Sequence, residues 1–316
     1  MTITQDNSAP LVAVVGATGI QGGSVVRALA ESEKPYRVRG FTRDPAKLAA
    51  LELAKLGVAV VGVSFVVDNK NEAYKAFAGA DFAFLVTNFW EHVDFDRELA
   101  EGKLLIDAAK AGGVSGIVWS GLPSLSKISG GKFPHAWHYE SKALVTEYGR
   151  QSGVPFVDVQ TGMYETNFLN SPFAPSKQAD GSFVVAFPVK PTTVLPVLDA
   201  VRDYGLFVRH VLELPVFPNG AEFVAYEKNM TLTDLAEQWS QGTGKNIVLA
   251  QIPVEQFKQG LEGAGLPPHI VLDLSEVFLV WDEFGWKVPP IPQGLARRPH
   301  TWADFVKDTD WSKVLA

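Results

Sequence analysis

Residues 11–32 read "LVAVVGATGIQGGSVVRALAES". An apolar run closes on a glycine, the glycines recur as Gly16-x-x-Gly19-x-x-Gly22, and Val25, Val26 and Leu29 then follow helical spacing. The run predicts a buried parallel strand and the spacing a helix packed on it. Glycines at that junction meet three physical needs: a tight turn, close backbone approach to a pyrophosphate, and close contact of helix with strand. The phosphate would meet the free N–H groups of the helix's first turn. Gly16, Ala17, Thr18, Gly19, Ile20, Gln21 and Gly22 are therefore the expected pyrophosphate loop of a dinucleotide site, a turn without ligand being the alternative.

Outward from this loop the pattern repeats. Strands are expected at 36–42 ("YRVRGFT"), 58–63 ("VAVVGV"), 81–87 ("DFAFLVT"), 116–120 ("GIVWS") and 155–160 ("PFVDVQ"). Helices are expected between them, at 22–32, 44–57, 71–79, about 93–112, and from 135 to about 152. Asp44 and Pro45 read as the N-cap and first turn of the second helix, which closes at Gly57. Six rounds of alternation dictate parallel strands with right-handed crossovers, an α/β doubly wound, mostly parallel Rossmann sheet. Residues 1–162 form that domain in this reading, and 163–316 a smaller C-terminal α+β lobe, with segments around 192–226 returning to the sheet. Residues 194–212 read as a helix with an irregular start, and 221–241 as a strand followed by a capped helix. Trp281, Trp286, Trp302 and Trp311 are expected to pack the lobe's core.

Composition narrows the chemistry. The 316 residues include no cysteine, which removes disulfides, a thiolate nucleophile and cysteine-ligated zinc, and no metal site is expected. The net charge of −7 and the lack of a basic stripe argue against direct nucleic-acid binding. The polar opening "MTITQDNSAP" predicts no secretory leader, and "VAVVGVSFVV" at 58–67 is too short to span a bilayer. The expectation is a cytoplasmic protein, the nucleus being an alternative, that is a monomer or homodimer and does not enter membranes.

The cofactor's identity is read at the end of the second strand. An NAD-selective site places an acidic side chain there. Here the sequence is "FTRDP", and Arg43 is the first charge, with Lys47 one helical turn on. A guanidinium at that position suits a 2′-phosphate, so NADP(H) is expected. Asp44 is the competing residue and doubles as the N-cap.

The segments "GATGIQGGSVVRAL", "VRGFTRDPAK", "LVTNFWEH", "EGKLLIDAAKAGGV", "GIVWSGL", "HYESK", "GVPFVDVQTGMYETNF" and "RPHTWADFVKD" follow in order and cover most of the chain. Together they resemble the NmrA-like family of atypical short-chain dehydrogenases. Phenylcoumaran-type plant reductases share the layout at greater distance. The resemblance implies that Thr87, Asn88 and Phe89 run beside the nicotinamide ribose and that Lys142 bonds it. It also implies that Tyr164, Glu165, Thr166 and Asn167 close on the nicotinamide. The chain departs from the family after the third strand, where "GVSFVVD" replaces the usual Gly-Asp. Ser64 and Phe65 are then expected at the adenine edge, with the acidic anchor lost or moved to Asp68.

The same resemblance directs attention to "HAWHYESKALVTEY" at 135–148. Short-chain dehydrogenases pair a tyrosine with a lysine four residues later. Here His138 holds that position, and Tyr139 is three before Lys142. At 100° per residue, His138 and Tyr139 fall on opposite flanks of the lysine's face. The plant reductases imply that the lysine alone can do acid–base work. Lys142, Ser120, Tyr139 and His138 are thus the candidate catalytic residues, Ser120 lying where short-chain dehydrogenases polarise a carbonyl. Two functions follow: an NADP(H)-dependent reductase of a small carbonyl, imine or conjugated double bond, or an NADPH sensor acting through a protein partner. The lysine, the serine and an aromatic lobe suited to a small-molecule substrate favour the reductase.

Overall fold

The computed structural model describes residues 3–316; Met1 and Thr2, the start of the polar opening, lie outside the described residues. The first half follows the expected alternation. It runs β1 (Leu11–Val14), α1 (Ile20–Ala30), β2 (Arg37–Thr42), α2 (Leu48–Lys55), β3 (Ala59–Gly62), α3 (Lys70–Ala76), β4 (Phe82–Leu85) and α4 (Phe95–Ala111). It continues through β5 (Gly116–Trp119), a short α5 (Leu125–Ile128), α6 (Trp137–Arg150) and β6 (Phe156–Thr161). All four residues of β1 and all four of β5 are buried, as a parallel sheet covered on both faces requires.

The remainder runs β7 (Met163–Tyr164), β8 (Ser176–Lys177), β9 (Phe183–Phe187), β10 (Val194–Leu198), α7 (Ala200–Glu213), β11 (Glu222–Ala225) and β12 (Lys228–Thr231). Then come α8 (Leu232–Thr243), β13 (Ile247–Gln251), α9 (Val254–Gly263), α10 (Pro268–Phe284) and α11 (Trp302–Asp308). The central sheet has seven strands in the order β11-β6-β5-β4-β1-β2-β3, every pair parallel. Its order reverses between β1 and β4, and ligands of open α/β sheets bind at such a reversal. Two three-stranded sheets, β12-β10-β7 and β13-β9-β8, build the smaller lobe with α8 to α11.

Three local readings need correction. Helix α2 starts at Leu48, not Asp44, because the Asp44 carboxylate accepts the Ala46 N–H and holds a turn instead. Residues 194–198 are strand, held by antiparallel pairing with β12 and parallel pairing with β7. Residues 221–231 form two strands in different sheets: β11 joins β6, and β12 joins β10. The helix after them is capped as expected, by a Thr231–Asp234 capping box.

Helix α7 returns to the sheet and crosses α1 at close range. A Cβ on Gly205 would lie 2.1 Å from the Ser24 carbonyl oxygen, and the Gly205 N–H bonds Ser24 Oγ at 2.9 Å. Trp281, Trp302 and Trp311 are buried in the lobe core as expected, and Trp286, partly buried against that core, stacks on Trp281, which also lines the cavity. No described helix is long and apolar enough to cross a membrane.

Candidate active site

The ends of β1, β2, β4, β5 and β6 open onto one cavity of about 1020 Å³. Its floor is the glycine loop. Gly16 takes φ +64°, a left-handed turn that costs a glycine nothing. A Cβ on Gly22 would lie 2.2 Å from the Gly16 carbonyl oxygen, so only glycine lets α1 pack this close to β1. Gly19 is the N-cap of α1 and no side chain caps that helix. Its first-turn N–H groups are left for an anion. Gly16, Thr18, Gly19, Ile20, Gln21 and Gly22 line the cavity. Ala17 does not; it is buried, and its N–H bonds the Phe41 carbonyl at 3.0 Å.

Arg43 and Lys47 line the end of the cavity beside β2, as does Asp44. The Arg43 guanidinium is ion-paired with Glu91, which stands on the short 3₁₀ turn after β4. Ser64 and Phe65 line the same end, with the Phe65 ring 5.2 Å from Phe41 and 5.6 Å from Phe77. Asp68 falls in the turn Val67–Asn69 and is not part of the lining.

Thr87, Asn88 and Phe89 follow β4 into the cavity, and Lys142 reaches it from α6. The Lys142 ammonium bonds Thr87 Oγ1 at 2.9 Å and the Thr87 carbonyl at 3.3 Å, and it is ion-paired with Glu98 on α4. Burial would push the Glu98 carboxyl up. The Lys142 charge and hydrogen bonds from Lys142, Ser141 and Thr87 outweigh it and hold the carboxyl below its ordinary value.

Ser120 ends β5 against the cavity, with its hydroxyl donated to Gln21 Oε1 at 2.9 Å. His138 and Tyr139 both line the cavity. Burial, then the Asp273 charge and Tyr164, push the Tyr139 phenol well above its ordinary range. His138 Nδ1 bonds the carboxylate of Asp273, on α10.

Tyr164 and Asn167 line the cavity, while Thr166 does not. Glu165 does not either: it is fully buried, and neither carboxylate oxygen has a partner among the described residues. Burial, followed by the charges of Asp199, Asp203, Glu227 and Asp304, raises its pKa to about 9, so it is a neutral acid at pH 7. Tyr164 thus lines the cavity, packed on the core beneath it, while Glu165 is turned into the protein.

Sequence reasoning did not find Glu98, Glu91, Asp273 or the lobe's wall. The Lys142–Glu98 pair spans 44 positions and the His138–Asp273 pair 135, so no local spacing announces either. The far end of the cavity is lined by Asn170, Phe173, Leu274, Val277, Phe278 and Trp281. It is an apolar, aromatic chamber joined directly to the glycine loop. Among the described residues no cluster of His, Asp or Glu could hold a metal ion.

The model of the NmrA-like family matches residues 8–311. An NmrA-like family domain-containing oxidoreductase of Malbranchea aurantiaca is 31% identical over 264 residues, covering 76% of this chain and 75% of that one. An NAD(P)H azoreductase of Xenophilus azovorans is 28% identical over 302 residues, covering 94% and 97%. Among solved structures, the negative transcriptional regulator NmrA superposes with a TM-score of 0.77 at 24% identity, over 95% of each chain. It was solved in complex with NAD and with NADP. The glycine loop, the strand order and this match across nearly the whole length agree: the chain belongs to the NmrA-like family.

Proposed function

We propose that this protein is an NADP(H)-dependent oxidoreductase that reduces a small carbonyl, imine or conjugated double bond. The observation that carries the proposal is the continuity of the cavity, from an uncapped helix N-terminus at one end to an aromatic chamber at the other. Its volume of about 1020 Å³ suits a dinucleotide's reactive end together with a small apolar partner.

The residues present fit the cofactor. The first-turn amides of α1 would hold the pyrophosphate, in space that the glycines leave free of Cβ atoms. Arg43 and Lys47 would hold the 2′-phosphate, and Lys142 with Thr87 the nicotinamide ribose. Phe89, Tyr164 and Asn167 would then flank the nicotinamide. When bound, such a cofactor supplies a hydride. The chain itself positions the acceptor, and the walls of Phe173, Phe278 and Trp281 exclude water from it. The oxidoreductase names of two relatives, one of them an NAD(P)H azoreductase, support this reading.

A second reading, an NADPH sensor read by a protein partner, is favoured by the replacement of the usual catalytic tyrosine by His138 and by the regulator among the structural neighbours. One experiment separates the two. NADPH oxidation is followed with quinones, enones, imines and aldehydes, and cofactor affinity is measured by calorimetry. The reductase reading expects turnover with at least one class. Tight NADPH binding, no turnover across the panel, and a cofactor-dependent change of assembly would replace it with the sensor.

A further inference from the structure

A substrate that accepts a hydride on carbon needs a proton on its heteroatom. An ammonium has three N–H donors. Those of Lys142 meet three acceptors, namely Thr87 Oγ1, the Thr87 carbonyl and Glu98. Glu98 in turn accepts from Thr87 and Ser141. The lysine is therefore held against the cavity wall, and its longest contact, to the Thr87 carbonyl at 3.3 Å, leaves one donor that the ribose would take and none for the substrate. The Ser120 hydroxyl is directed to Gln21. Tyr139 is a buried phenol whose environment opposes loss of its proton.

His138 is arranged differently. Asp273, fully buried on α10, gives it both carboxylate oxygens: Oδ2 accepts the His138 backbone N–H at 2.9 Å, and Oδ1 is bonded to Nδ1. A carboxylate only accepts, so Nδ1 carries the hydrogen. The second ring nitrogen, Nε2, has no hydrogen-bond partner among the described residues. The ring lines the cavity, with its centroid 4.9 Å from that of Trp90 and 5.8 Å from that of Phe89.

We infer that His138 is the proton donor to the reduced substrate and Asp273 its positioning residue. The inference rests on the oxidoreductase reading above. As hydride arrives at the substrate carbon, the π electron pair moves to the heteroatom. The Nε2–H bond of the imidazolium breaks and that proton bonds the heteroatom. Neutral imidazole remains, with Nδ1–H still on Asp273, and a solvent proton restores Nε2–H. The balance is one hydride from NADPH and one proton from solvent per double bond reduced. Lys142 keeps the task of holding the ribose.

The fold supplies its own control. Glu276, one helical turn beyond Asp273, clamps His135 in the same manner, through its backbone N–H at 2.6 Å and Nδ1 at 2.6 Å. His135 is outside the cavity lining. If the clamps served only to fasten α6 to α10, removing either imidazole would have similar consequences.

The experiment combines kinetics with a spectroscopic readout that needs no turnover. In His138→Gln, turnover at saturating NADPH and substrate should fall about 10²-fold, with NADPH affinity unchanged. His135→Gln should keep the wild-type rate. Nitrogen-15 spectra of the cofactor-free protein should show neutral His138 protonated at Nδ1. Asp273→Asn offers Nδ1 an N–H donor instead, so the hydrogen should move to Nε2, and turnover should fall about 10-fold or more with KM little changed. Wild-type rates in His138→Gln, equal losses in the two histidine variants, or a neutral wild-type His138 with its hydrogen on Nε2 and not Nδ1 would each overturn the inference and leave the oxidoreductase reading standing. No turnover by the wild-type protein on any acceptor class would overturn that reading, and the inference with it.

Discussion

Arg43 stands at the end of β2 with its guanidinium on the Glu91 carboxylate. A 2′-phosphate reaching Arg43 must compete with that carboxylate. On the proposed reading, Glu91 would temper the NADP(H) preference that Arg43 would create. Because the pair is largely exposed, its worth is small, and Glu91→Gln should tighten NADP(H) binding about two- to five-fold while leaving NAD(H) unchanged. Arg43→Ala should weaken NADP(H) about tenfold or more. Calorimetric titration of both cofactors checks both variants, and equal affinity of the wild type for NADP(H) and NAD(H) would remove the role of Arg43. Asp158 makes a second prediction of this scale. It is buried on β6, accepts the Gly121 N–H at 3.0 Å, and is bonded by Thr146 and Gln160. Burial raises its pKa from 3.8 to about 7. A carboxyl raised by folding contributes stability that is full below its unfolded pKa and is lost as pH rises through the folded one. Between pH 5 and pH 8 this group should remove about 3 kcal/mol from the wild type. Asp158→Asn should flatten that part of the profile, as read from urea midpoints at the two pH values. Unchanged slopes would show that Asp158 stays ionised. At this scale the sequence announced the residues that follow a motif, such as Lys142 and Arg43, but not the carboxylates that hold them, because ion pairs between distant segments leave no periodic trace.

The strand–loop–helix unit at 11–30 is legible in the sequence because its requirements are local. A turn, a close approach and a helix start each need a particular residue within a few positions of the next. Two of its glycines now make opposite predictions. At Gly22 a Cβ would meet Gly16 O at 2.2 Å, Gly16 C at 2.6 Å and Val15 O at 2.7 Å, all backbone. Gly22→Ala should therefore lower stability, by about 2 kcal/mol or more. At Gly19 the added atom meets only Gly16 O, at 3.2 Å, so Gly19→Ala should fold normally and lose cofactor affinity where the pyrophosphate would sit. Thermal melts with and without NADPH distinguish them; a stable Gly22→Ala protein would refute the close-packing argument. The elements misread from sequence have the contrary character. "VLPVL" at 194–198 is an apolar run that suits a helix start or a strand, and pairing with β12 and β7 decides it. The second strand hidden in 221–231 likewise exists only because β10 is there to receive it.

Over the whole molecule, the C-terminal chain laces the lobe's hydrophobic core to the core on the α1 and α7 side of the sheet. After α10 leaves the lobe, Ile291 and Leu295 pack on the core shared by α1 and α7, and α11 then returns to α8, where Trp302 Nε1 bonds the Leu235 carbonyl at 3.0 Å. The crossing is pinned at α7. Asp203 is fully buried there and accepts Arg297 Nη1 at 2.6 Å and the His300 N–H at 2.5 Å. Burial pushes its carboxyl up despite those two donors. Removing the guanidinium would leave a buried charge with one backbone donor. The loss at a fully buried pair would be several kcal/mol, and partial exposure of Arg297 reduces it, so Arg297→Ala should cost about 1–3 kcal/mol. Arg298, exposed and paired with Asp304 across the surface, should cost little when changed to alanine. The strap should also open locally more often in Arg297→Ala, and cleavage after Lys287 by a lysine-specific protease under native conditions should speed up about fivefold or more. Because α10, the helix from which the strap leaves, carries Asp273, NADPH affinity should be kept while turnover falls as the lobe loosens on the sheet. Unaltered cleavage and stability in Arg297→Ala would show that packing by Ile291 and Leu295 alone fastens the strap.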